Sequence, residues 1–314
     1  QKMRLYGPGT DSGTFDFFTD EINGEGGASR DDYTMSEDDN VIVQGIAGDQ
    51  YSLGYFGYAY YAANKDKLKV IGIDSGEGCV VPSAETIDNA SYKPLTRPLY
   101  IYVKKSSYAN KQVVKEFVDF YMKEAGALTA EVGYVPVKEE EYKANLDKVK
   151  ANTESMTNTV SVLTGMVEVD GSSTVAPVSE AVAEEFKKLH PKANVLVGVS
   201  GSGGGFKRFV IGETDISNAS RGIKSSEAEK AKANGIDFAE LRIGMDGLSV
   251  MVNPSNTFVD CLTTTELKKI WEPGSSVNNW NQVRSSFPNQ KMRLYGPGTD
   301  SGTFDFFTDE INGE

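Results

Sequence analysis

Three stretches of this chain gather glycine and hydroxyl residues immediately ahead of a helix-like pattern: VDGSSTVAPVSEA, GVSGSGGGFKRF and YGPGTDSGTFDFF. Each follows a strand-like run. A loop of this kind leaves the first amides of the helix without intrahelical acceptors, at the positive end of the helix dipole. Its Ser and Thr hydroxyls can turn to the same point, and glycine lets the backbone close on a bound group. One such loop is ordinarily just an N-cap. Three in one chain suit a tetrahedral oxyanion held by amides and hydroxyls. A nucleotide fits less well, because GSGGGFKR lacks the GK[ST] ending of a phosphate-binding loop and misses the G-x-G-x-x-G spacing. No acidic pair is in place to bring Mg²⁺ to a triphosphate.

The rest of the chemistry-bearing residues read plainly. The single histidine, His190, precedes Pro191 at a helix end and suggests no function. With one histidine and no Cys/His or acidic cluster, no metal, no cofactor and no enzymatic activity are expected. Cys79 and Cys261 alone leave a structural disulfide and two buried thiols equally open. The aromatic run Tyr55, Phe56, Tyr58, Tyr60 and Tyr61 reads as core packing, and Glu139 to Glu141 as a solvated helix start.

The elements that must position these loops alternate. From Val160 onward the order is strand, GSST loop, helix SEAVAEEFKKLH, strand ANVLVGVS, glycine loop, helix FKRFVIGE, strand TDISNAS and helix SSEAEKAKANG. That βαβα order predicts an α/β fold on mostly parallel strands. Two long apolar strands, RPLYIYVKK and LRIGMDGLSVMVNP, bracket a second block of elements. They predict two lobes joined by two crossover strands, one lobe at 97–249 and the other at 1–96 plus 250–314. The polar stretch KANTESMTNTV at 150–160 reads as a linker.

Residues 1–25 return without a change as 290–314. Solenoid repeats are short and diverged; a perfect copy separated by more than two hundred residues points instead to a chain cut from a circularised or tandem gene, with an overlap left at the cut. One lobe has room for a single copy, so the other is expected to be displaced and able to dock into a second molecule as a swapped oligomer. The 314-residue chain is 39% hydrophobic and 25% charged, with a net charge of −13. Each copy carries two bases and five acids, so a single-copy chain stands near −10. Such a field disfavours nucleic acid and anionic membranes. No apolar run approaches the roughly 18 residues of a membrane helix, and QKMRLYG has no basic-then-apolar leader.

Taken in rotated order, DGSSTVAPV, GSGGGFKRF, DISNASRGIK and GPGTDSGTFDFF together resemble the periplasmic phosphate-binding proteins of bacterial phosphate ABC importers. The resemblance covers essentially the whole chain and implies a circularly permuted type II periplasmic-binding-protein fold, with phosphate in the interlobe cleft. It implies export to the periplasm or cell surface and delivery to membrane permease subunits. Sulfate, molybdate or phosphonate receptors, and less readily a phosphatase, are the alternatives. By the same resemblance the ligand shell comprises Ser173, Thr174 and the Val175 amide, Ser202, Arg221, and Asp300, Ser301, Gly302 and Thr303. Asp11, Ser12, Gly13 and Thr14 are the equivalent set in the first copy. Arg221 stands where the family carries an aspartate that accepts the proton of hydrogen phosphate, and Asp300 can take over that role. The resemblance also favours pairing of Cys79 with Cys261.

Overall fold

The computed structural model describes residues 6–9, 29–36, 38–151, 162–299, 307 and 311. The linker read at 150–160 lies outside this set beyond Ala151, as do residues 11–14 and 300–303. The fold is mixed α/β and divides into two compact units, residues 1–96 with 246–314 and residues 97–245.

Along the chain, the first unit opens with strands β1 (Tyr6–Gly9) and β2 (Thr34–Met35), helix α1 (Asp39–Ala47), strand β3 (Ser52–Gly57) and helix α2 (Tyr58–Asn64). Strands β4 (Lys69–Val70), β5 (Gly72–Asp74) and β6 (Cys79–Val80) and helix α3 (Ala84–Asp88) follow. The second unit comprises β7 (Thr96–Lys104), α4 (Lys105–Asn110), α5 (Gln112–Val132), β8 (Val135–Pro136) and α6 (Glu139–Lys150). It continues with β9 (Gly165–Gly171), α7 (Ala176–Leu189), β10 (Ala193–Val199), α8 (Gly201–Phe209), β11 (Ile216–Ala219) and α9 (Ser225–Ala233). Strand β12 (Phe238–Val252) then carries the chain back to the first unit, which ends with β13 (Cys261–Thr263), α10 (Thr264–Trp271), α11 (Trp280–Val283) and β14 (Arg293–Thr299).

In the second unit the strand order is β7-β11-β9-β10. Strand β9 pairs in parallel with both β10 and β11, whereas β7 runs antiparallel to β11. The period of two along β7 divides its side chains between two cores. Leu99, Ile101 and Val103 join the buried faces of α5 and α7, including Phe117, Val182 and Phe186. Tyr102 faces the other way and packs with Phe206 and Phe209 of α8. The sheet is therefore covered on both faces, as parallel strands require. Helix α8 departs from expectation: it begins at Gly201, not at Phe206, and takes in the glycine run.

In the first unit, Ile42, Val43 and Ile46 of α1 pack with Phe56, Met251 and Tyr295. Tyr55 and Phe56 are fully buried and Tyr60 is exposed, so the aromatic run is core only in part. Strands β13, β5 and β6 form a separate small sheet, and a disulfide joins Cys79 of β6 to Cys261 of β13. Both copies of the duplicated segment contribute a strand. β14 lies beside β3, and β1 pairs with β14 in parallel, with Tyr6 opposite its own counterpart Tyr295. Over residues 6–9 the first copy is thus not left out of the fold. The rim of β14 accepts a second strand, and the identical strand supplies it.

Candidate functional site

The site builds up from the end of β9. Gly171 has φ 140°, a conformation costly for any other residue, and a Cβ there would run into the carbonyl of Asn218 on β11. The tight exit lets the Ser172 amide reach Asn218 O at 2.9 Å and the Ser200 amide reach Gly171 O at 3.1 Å. The start of α8 is thereby drawn against the start of α7. Gly205 completes the approach, since a Cβ on it would stand 2.5 Å from the Cα of Gly171. This packing explains why a glycine run of poor helix propensity is helical here.

Neither helix spends a side chain on its own cap: Val175 and Ser200 occupy the cap positions without a side-chain hydrogen bond. Among the described residues, the amides of Ser173, Thr174 and Val175 have no backbone acceptor. The hydroxyls are linked instead to a third segment, SRG after β11. Ser172 Oγ donates to Ser220 Oγ at 3.1 Å, the Ser220 amide donates to Ser202 Oγ at 3.1 Å, and the two hydroxyls of Ser202 and Ser220 lie 3.2 Å apart. Ser173 is half-buried, while Thr174 and Val175 are buried. Thr174 Oγ1 accepts a hydrogen bond of 2.9 Å from Nη2 of Arg97, a residue only 2% exposed.

The carboxylates Asp170 and Glu227, on elements beside these loops, are both engaged. Asp170, buried at the end of β9, accepts from Arg208 Nη1 at 2.6 Å and from the Gly171 amide at 2.9 Å. Glu227 of α9 receives both Nη atoms of Arg221, at 2.8 and 2.9 Å. Burial pushes the Glu227 carboxyl up, but Arg221 and the Lys224 amide outweigh it and hold the group below the usual carboxylate range. The Arg221 guanidinium also donates to Gly222 O at 3.0 Å and lies 5.1 Å from the Phe206 ring centre.

Of the residues expected from the sequence, Ser173, Thr174, Val175, Ser202 and Arg221 all fall in this unit. The first four stand at the starts of α7 and α8, and the hydroxyl chain connects Ser202 to the SRG loop that carries Arg221. The guanidinium of Arg221 is held by Glu227. Asp300, Ser301, Gly302 and Thr303, like Asp11, Ser12, Gly13 and Thr14, lie outside the described residues. Arg97, Ser172 and Ser220 were not expected. Ser172 and Ser220 sit inside quoted motifs; Arg97 is signalled only as a lone base opening the apolar run RPLYIYV. No cluster of three potential metal ligands occurs among the described residues, and no helix there is long and apolar enough to cross a membrane.

The chain is 51% identical over 152 residues to Protein SphX of Synechocystis sp., covering 48% of this chain and 45% of that protein. It is 43% identical over 147 residues to the phosphate-binding protein PstS of Staphylococcus saprophyticus, covering 47% and 46% respectively. The chain thus spans about half the length of the curated relatives it matches. A solved phosphate-binding protein of a phosphate ABC transporter from Streptococcus pneumoniae TIGR4 superposes with a TM-score of 0.66 at 20% identity, over 90% of this chain and all of that one. That likeness is one of fold. The model of the PBP superfamily domain matches residues 1–125 and 148–314, so the described loops and the strands β9, β10 and β11 that carry them fall inside it, and the chain belongs to that family.

Proposed function

We propose that this protein binds inorganic phosphate reversibly and delivers it to the membrane subunits of an ABC importer, without chemical turnover. One observation carries the reading: amides and hydroxyls gather at the starts of α7 and α8, while Asp170 and Glu227 are each held by an arginine. The local surface is rich in donors, as an oxyanion needs. The names of the relatives at 38–43% identity support phosphate among oxyanions. The loop Asp300 to Thr303, or its copy Asp11 to Thr14, completes the shell in this proposal. The disulfide supports export to an oxidising compartment, periplasm or cell surface.

The test is calorimetric titration of protein stripped of phosphate, with phosphate and sulfate side by side. Tight phosphate binding with weak sulfate binding is expected; equal affinities would reject the assignment. A nitrophenyl phosphate assay run in parallel should stay at background, and turnover there would favour a phosphatase. A receptor for a fully ionised oxyanion such as sulfate or molybdate is the second reading. It draws on the arginines that occupy Asp170 and Glu227, which leave the proton of hydrogen phosphate to Asp300. Changing Asp300 and Asp11 together to Asn should therefore weaken phosphate and relax discrimination against sulfate.

The exact duplication supports a circularly permuted chain order. A rearranged chain running 160–314 and then 26–159 is expected to fold and bind phosphate; failure to do so would reject the permutation. The duplicated segment also supports a swapped oligomer, which light scattering at rising concentration would detect.

A further inference from the structure

We propose that Arg97 is a positioning residue that fixes the Thr174 hydroxyl as a hydrogen-bond donor toward the bound anion, an inference that rests on the phosphate reading above. A threonine hydroxyl offers one proton and accepts through its lone pairs, whereas a guanidinium only donates. Arg97 Nη2 lies 2.9 Å from Thr174 Oγ1 in a buried setting, with Arg97 2% and Thr174 3% exposed. The proton of Thr174 cannot point at Arg97, so it points elsewhere. Among the described residues it finds no acceptor, and the amides of Ser173, Thr174 and Val175 beside it likewise have no backbone acceptor.

Ser202 is treated the same way by a different group. Its Oγ accepts from the Ser220 amide at 3.1 Å, and Ser220 in turn accepts from Ser172 at 3.1 Å. Ser202 Oγ also lies 3.2 Å from Ser220 Oγ, and when Ser220 donates across that contact the proton of Ser202, like that of Thr174, is left for what lies in front. A hydroxyl pre-set in this way need not reorganise when the anion arrives, and a donor polarised by a cation gives a stronger bond. Arg97 acts through Thr174 and need not touch the ligand.

The test is a double-mutant cycle on the full chain, read by titration with inorganic phosphate, with circular dichroism melts to verify folding. Arg97→Met is expected to weaken phosphate binding roughly 10- to 100-fold, and Thr174→Val about tenfold. The double variant should be no more than about threefold weaker than Arg97→Met, because the second change removes a hydroxyl already misdirected. Arg97→Lys, which can still donate to Thr174, should recover part of the loss. If Arg97→Met does not fold, Arg97→Lys is combined with Thr174→Val: whatever affinity Lys loses should shrink once the Thr174 hydroxyl is gone, and an equal loss with and without that hydroxyl would overturn the role. A folded Arg97→Met with wild-type affinity, or losses that multiply in full, would overturn the role. Wild-type protein that binds no phosphate would instead remove the functional reading, and this inference with it.

Discussion

At Arg221 the guanidinium is already engaged. Both of its Nη atoms lie on Glu227, with the side chains 28% and 20% exposed. A pair this sheltered is worth about 1 kcal/mol or somewhat more. Arg221→Ala should therefore lower the denaturation free energy of the phosphate-free protein by about that amount, as well as weaken phosphate binding. Loss of affinity with no loss of stability would mean that the pair contributes nothing to the fold. Glu227→Gln separates the two roles by pH. The carboxyl of Glu227 titrates below its ordinary 4.5, so its contribution is fully present above that value and disappears as pH falls through the depressed one. Wild type and variant should differ by about 1 kcal/mol near pH 7 in urea denaturation and converge as pH falls below 4.5 through the depressed value. The sequence reveals that Thr174 opens a helix, because that chemistry is local. It does not reveal that Arg97, 77 positions away, donates to it, since only the fold brings the two together.

The glycine run of α8 makes the same point for an element. By propensity GSGGG reads as a loop, and the helix is expected to start at Phe206. The structure begins it at Gly201, because close contact with Gly171 outweighs the cost of glycine in a helix. Two substitutions separate propensity from packing. Gly203→Ala meets nothing nearer than an Arg221 nitrogen at 3.8 Å, so it should be neutral or stabilise by up to about 1 kcal/mol. Gly205→Ala would place a methyl 2.5 Å from the Gly171 Cα and should destabilise by roughly 2 kcal/mol or more. Equal effects in thermal melts would mean that α8 is not pressed against β9. The strands around it were easier to read: alternation along RPLYIYV and the apolar run VLVGV both give strands close to where the pattern places them. The pairing of β1 with β14 was beyond pattern reading, because two identical segments carry no letters that distinguish their places.

For the whole molecule, carboxylates held by arginine occur in both units: Glu141 with Arg242, Glu227 with Arg221, and Glu266 with Arg284. For Glu141 the Arg242 hydrogen bond is the main cause of its lowered pKa, while at Glu266 the Arg284 side chain overrides the opposing effect of burial. All three stabilise the folded state above pH 4.5 and cease to do so on acidification, so acid unfolding should be steeper below that pH than above it. Removing the disulfide with Cys79→Ser and Cys261→Ser should cost about 2–5 kcal/mol in denaturant titration. The same bond has a mechanical consequence. Cys79 and Cys261 are 182 positions apart, and the whole of residues 97–245 lies between them. A load applied to the two chain ends passes through the sulfurs, and the enclosed unit carries no tension. Stretched in oxidising buffer, the molecule should extend only over the chain outside the ring. At about 3.3–3.6 Å per residue, a reductant should then release roughly 600–650 Å of hidden length in an optical trap. Full extension without reductant would mean that the ring is open.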